Sequence, residues 1–98
     1  MEIRLLEPAQ RELDEAVEYY AKQLPGLGEA FLVEVLAALE RLRKFPSAWH
    51  PLSENMRRCL LKRFPYGVIY HLDEQEILVI AIAHLHRKPE FWRNRLPE

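Results

Sequence analysis

Apolar positions recur at two different periods along this chain. From about Ala9 to Leu24 the spacing is helical: Leu13, Ala16, Val17, Tyr20 and Leu24 fall three or four residues apart and predict one buried stripe. Glu12, Asp14, Glu15 and Glu18 fall mostly outside that stripe and are expected to face outward. Acids early in a helix also suit its positive end. Ile3 to Leu6 reads as a short opening strand. Glu7-Pro8 marks the helix start, because proline near the first helical position gives up an N–H that has no partner there.

Pro25-Gly26 and Gly28 interrupt the pattern, and a second helix is predicted from about Gly28 to Phe45. Phe31, Val35, Ala38, Leu42 and Phe45 form its stripe, and Leu32, Leu36 and Leu39 widen it. A helix this apolar is either covered on more than one side or presents a patch to a partner. Pro46 ends it, and 46–55 reads as an irregular connector. From Met56 the period changes to two. Arg57 to Arg63, Gly67 to Leu72 and Glu76 to His84 are predicted strands, joined by Phe64-Pro65-Tyr66 and Asp73-Glu74-Gln75. Such short links favour antiparallel neighbours. Ile77 to Ala83 is apolar throughout, which predicts a central strand buried on both faces. Pro89 to Leu96 is expected to form one or two helical turns.

The predicted architecture is α+β, a two-layer sandwich. An N-terminal strand and a helical hairpin pack on a mainly antiparallel four-stranded sheet, followed by a short C-terminal helical tail. Ninety-eight residues allow a single domain, 1–98. No apolar run is long enough to span a bilayer. The opening Met1-Glu2-Ile3-Arg4 does not read as a signal peptide, and the single cysteine, Cys59, fits a reducing cytoplasm. Cys59 lies in an apolar pattern and is read as a small core residue.

Net charge is −1, but it is unevenly distributed. Residues 1–55 carry six Lys/Arg and ten Asp/Glu, whereas residues 56–98 carry eight and five. A phosphate backbone or an acidic partner would therefore meet the C-terminal half; the alternative is an ordinary solvated sheet face. Arg57, Arg58, Lys62 and Arg63 lie in one predicted strand, with Arg58 and Lys62 sharing a face. They suit phosphate or a carboxylate-rich partner, or protect an edge from stray pairing. Tyr66 and Tyr70 either pack or offer a ring for stacking.

The densest candidate cluster is His84, His86, Arg87, Trp92, Arg93 and Arg95. Histidine as acid or base and arginine as phosphorane stabiliser are the residue types that metal-independent RNA cleavage needs. The architectural alternative has His84 bonding the chain turn, Arg87 pairing with a carboxylate such as Glu90, and Trp92 packing back on the sheet. No metal site is expected: His84 and His86 are a weak pair that alternation sends to opposite faces. With no glycine-rich phosphate loop, no cofactor is expected either.

Taken in order, these features resemble the RelE/ParE superfamily of bacterial toxins over nearly the whole chain. The resemblance rests on Glu7-Pro8-Ala9 leading into Leu13, Ala16 and Tyr20, on Phe45-Pro46, Arg58, Phe64-Pro65-Tyr66 and Tyr70, and on His84, Arg87, Pro89 and Trp92. It implies the toxin of a type II toxin–antitoxin system, of the kind that stabilises plasmids, silenced by a cognate antitoxin. The helical hairpin and the His84/Arg87/Trp92 ending look more like the ParE branch, which implies poisoning of DNA gyrase. The RelE branch would imply a metal-independent endoribonuclease acting on ribosome-bound mRNA, with His84, Arg87, Arg58 and Lys62 as its catalytic set. A non-toxic binding protein on the same scaffold is the third reading. For partner or target binding, the residues implied are Arg57, Arg58, Lys62, Tyr66, Tyr70, Arg87, Trp92, Arg93 and Arg95. The broad apolar second helix permits a homodimer.

Overall fold

The computed structural model describes residues 1–88 and 91–96. Strand β1 (Glu2–Leu5) leads into helix α1 (Glu7–Gln23) and helix α2 (Leu27–Lys44). Strands β2 (His50–Pro51), β3 (Met56–Leu60), β4 (Tyr66–Leu72) and β5 (Glu76–His84) follow, with a 3-10 turn at Arg93–Arg95. The sheet order is β1-β5-β4-β3-β2; β1 runs parallel to β5 and the other neighbours are antiparallel. The α+β sandwich is as predicted, with one addition. The connector after α2 is not wholly irregular: His50 and Pro51 pair with Arg58 and Arg57 as a fifth, two-residue edge strand.

The helices start and stop for the reasons visible in the sequence. Pro8 sits in the first turn of α1. Gly26, at φ +86°, makes the left-handed turn into α2, a conformation that L side chains rarely adopt. Gly28 lets the two helices touch, since a Cβ there would lie 2.5 Å from Val17 O and 2.9 Å from Ala21 Cβ. Leu24 and Phe45 depart from their predicted stripes. Each follows the last helical turn in non-helical backbone, so the 3.6 period no longer aims it inward, and both are exposed. Leu36 is exposed as well, together with Val33, so α2 is covered on one side only.

The helix face of the sheet packs Val68, Tyr70, Ile77, Val79 and Ile82 against Leu13, Ala16, Phe31, Val35, Ala38 and Leu42. The opposite face is not left open. Met56, Ile69, Leu78 and Ile80 are covered by Trp92, with Phe91, Leu96 and Leu52 packed around them. Alternation along β5 breaks at a bulge: Ile69 pairs with Ala81 but Tyr70 with Val79, leaving Ile80 as the extra residue. Among the described residues, no helix is long and apolar enough to cross a membrane.

Candidate functional site

Two carboxylates inside the helical stripes organise the ends of the sheet. Glu12 was expected to face outward, yet its side chain is only 12% exposed. It lies three residues after Ala9 and four before Ala16, both buried, so helical geometry turns it toward β5. There Glu12 Oε2 accepts from Arg87 at 2.7 Å, and both its oxygens accept from Arg95, at 2.9 and 3.0 Å. Arg87 therefore does find a carboxylate, but it comes from α1; Glu90, the partner expected for it, lies outside the described residues.

The pair also completes the backbone. Strand β1 ends opposite Val79, so among the described residues β5 has no strand neighbour on that side beyond this point. Ile82 N donates to Glu12 Oε1 at 3.1 Å, and Ile80 O accepts from Arg95 at 3.2 Å. A carboxylate and a guanidinium thus take the place of a missing strand at the bulge, where unpaired edge groups would invite stray pairing.

Glu34 is the second such residue, 8% exposed between Phe31 and Ala38. Its carboxylate accepts the backbone N–H groups of Lys62 and Arg63 and faces the Arg63 guanidinium at 3.4 Å. Burial by itself would raise its pKa; the N–H bonds and the Arg63 charge outweigh that and hold the carboxyl below its usual range. This contact ends β3 at Leu60, not at Arg63, and folds 61–65 back toward α2. Lys62 is thereby taken out of the strand alternation that would have set it beside Arg58, and it does not line the cleft described next.

That cleft lies on the tail side of the sheet. Its walls are Leu52, Ile69, Ala83, Phe91 and Trp92, and Arg58, His84 and Arg87 line it as well. It encloses about 470 Å³, counting space open to solvent at its mouth. Gly67 makes room for Arg58: a Cβ there would lie 3.2 Å from Arg58 Cγ and 3.3 Å from Cδ. Arg58 Nε is buried without a hydrogen-bond partner. The Arg87 guanidinium lies over the Phe91 ring at 3.7 Å. His84 bonds the turn, as the architectural reading expected, with Nδ1 accepting from His86 N at 3.1 Å. The rings of His84 and His86 do not point apart; because the strand ends at His84, they meet edge to face at 4.9 Å. Among the described residues no three His, Cys, Asp or Glu side chains are grouped to hold a metal ion.

The remaining candidates are dispersed. Arg57 donates to Trp49 O at 2.8 Å on the helix side. Tyr70 is fully buried and donates to Pro46 O at 2.6 Å; burial pushes its phenol up to about 12. Tyr66 stands edge-on to His84 and Phe31, and burial raises its phenol too. Trp92 is buried, and its ring carries the exposed Arg93 guanidinium at 5.5 Å. Cys59 is buried as a core residue; burial raises its thiol pKa against the opposing Arg41 charge.

Residues 3–89 match the family model for the ParE toxin of the type II toxin–antitoxin system, parDE. The chain belongs to the ParE toxin family. This ParE-family chain is also 28% identical over 88 residues to Toxin ParE2 from two strains of Mycobacterium tuberculosis, an alignment covering 89% of this chain and 84% of that protein. Its fold matches a chain of the chromosomal ParDE system from P. aeruginosa with a TM-score of 0.63 at 20% identity, covering 88% of this chain and 97% of that one. Neither the family match nor these relatives support the RelE-type ribonuclease reading. The four residues named for that chemistry are also not gathered: Arg58, His84 and Arg87 share the cleft, while Lys62 lies in the turn that Glu34 holds.

Proposed function

We propose that this ParE-family toxin arrests bacterial growth by poisoning DNA gyrase, and that a cognate antitoxin neutralises it by binding. The family match over residues 3–89 carries the reading. The surface chemistry agrees with it. The buried side chains of the C-terminal half stabilise the fold, and its remaining charge and cleft suit recognition of another macromolecule. A toxin that acts by trapping an enzyme–DNA complex needs a binding surface and no acid–base pair of its own.

The test is tightly controlled induction in a bacterium, with plasmid and chromosome integrity followed alongside growth. Purified protein is then added to gyrase and supercoiled plasmid. The expected result is growth arrest with linear, protein-linked DNA that requires gyrase, and relief on co-expression of the adjacent small gene. Arrest with intact DNA at saturating folded protein would rule out the gyrase reading. Growth unaffected by soluble, folded protein would instead favour a non-toxic binding protein on the same scaffold.

A further inference from the structure

We propose that the cleft around Arg58 is a docking pocket for one carboxylate side chain flanked by a bulky apolar residue, presented by a protein partner. On the reading above, that partner is the antitoxin. Three observations on the cleft converge. Among the described residues, the Arg58 side chain makes no hydrogen bond or ion pair, and its Nε is sealed from water without a partner. Among the described residues no aspartate or glutamate lines the cleft, so none of them supplies a counter-charge to Arg58. Beside Arg58, His84 and the Glu12-paired Arg87, the walls are Leu52, Ile69, Ala83, Phe91 and Trp92, which suit an apolar side chain next to the carboxylate.

The neighbouring charges differ from Arg58 in this respect. Arg87 and Arg95 share Glu12, and Arg63 faces Glu34, whereas Arg58 is left for a ligand. Gly67 keeps the Arg58 stem lying across β4, because any Cβ there would press on Cγ and Cδ. A guanidinium held this way presents a planar fork, which a carboxylate matches with two parallel hydrogen bonds. A nucleic-acid backbone fits less well, since phosphates are met by rows of exposed cations. Here, among the described residues, Arg58 is the one arginine of the cleft without an ion pair, since Arg87 is held by Glu12, and Lys62 and Arg63 are drawn to the α2 side. The asymmetric charge of the chain favours an acidic partner for this half.

The test is a two-dimensional amide titration of the full chain with three probes. These are a blocked leucyl-glutamyl-leucine tripeptide, its glutaminyl counterpart and inorganic phosphate. The glutamyl peptide is expected to give saturable shifts at the Gly67 and Ala83 amides and the Trp92 indole, weakening with salt. The glutaminyl peptide is expected to bind at least about tenfold more weakly, the scale of a charge-assisted hydrogen bond. Arg58→Gln should abolish that preference and Arg58→Lys should keep part of it. Gly67→Ala, which retains the charge but displaces the stem, should weaken the glutamyl peptide alone. Equal binding of the two peptides would overturn the proposal, as would no saturable shift at millimolar peptide. Phosphate binding tighter than the glutamyl peptide at the same resonances would also overturn it and mark an anion site for nucleic acid. None of these outcomes depends on gyrase, so the toxin reading stands or falls separately.

Discussion

Glu12 and Arg95 lie 83 residues apart in sequence and meet through two hydrogen bonds, at 2.9 and 3.0 Å. Between them they also satisfy the backbone of Ile82 and Ile80 at the bulge of β5. The pair joins the first helix, the central strand and the C-terminal tail at one point, and it holds the tail over the second apolar face of the sheet.

Glu12→Gln keeps the shape of the side chain and removes its charge. Arg95 is only 17% exposed and would lose its counter-ion. The expected loss of stability is about 2–3 kcal/mol, near the low end for breaking a buried pair. Arg87→Gln should cost about 0.5 kcal/mol, because Arg87 is 47% exposed and its pairing is screened. Urea unfolding of both variants checks the ranking; equal losses would show that the tail is not held through Glu12.

Glu34 gives a pH-dependent prediction. Its folded pKa lies below the unfolded value, so its contribution is present above the unfolded carboxylate range, about 4.3, and is lost as pH falls through the folded pKa. Glu34→Gln should cost about 2 kcal/mol at pH 7, where two N–H groups lose a charged acceptor. The gap between variant and parent should narrow below about pH 4. Urea midpoints measured from pH 3 to 7 decide it; a pH-independent gap would contradict the sign argued here.

Tyr70→Phe removes the hydroxyl that reaches Pro46 O and leaves that carbonyl short of a donor. A loss of about 1–2 kcal/mol in thermal or urea unfolding is expected. In the parent, the Tyr70 phenol is raised to about 12. The stability linked to it is complete below the unfolded value near 10 and disappears as pH rises through the folded one. Ultraviolet titration of the four tyrosines should show Tyr70 ionising last, after Tyr20 and Tyr66, whose phenols burial also raises, and Tyr70→Phe should remove that final step.

Gly28→Ala tests the closeness of the helices. The added Cβ would meet backbone at Val17 O, which has little freedom to yield. Overpacking of this kind costs about 1–3 kcal/mol, so a lowered melting temperature is expected. Unchanged or higher stability, the usual result of replacing glycine by alanine within a helix, would show that α1 and α2 are not in tight contact.

Much of this arrangement is legible in the residue pattern. The two helical stripes, the change of period at Met56, the doubly buried strand from Ile77 to Ala83 and the return of Trp92 to the sheet all follow from spacing and hydrophobicity. The site is less legible. Glu12 and Glu34 stand at stripe positions by strict helical counting, since each falls three residues after a buried apolar residue and four before another. A charged side chain there reads as surface until its partners are known, and those partners lie 28 to 83 residues away. The exposure of Leu24 and Phe45 was hidden for a related reason, because periodicity holds only while the backbone remains helical.

Local pattern determined the elements, their order and the family signature of this chain, because propensity, capping and alternation act over a few residues. Only the tertiary structure decided which charges are paired within the fold and which are not. Arg58 and Arg95 are the same residue type in the same basic half. One is paired because β1 ends at Leu5 and leaves room for Glu12 beside β5; the other is unpaired because, among the described residues, no carboxylate reaches its cleft. That difference depends on distance between segments remote in sequence, and electrostatic pairing is governed by distance and burial, not by residue type alone.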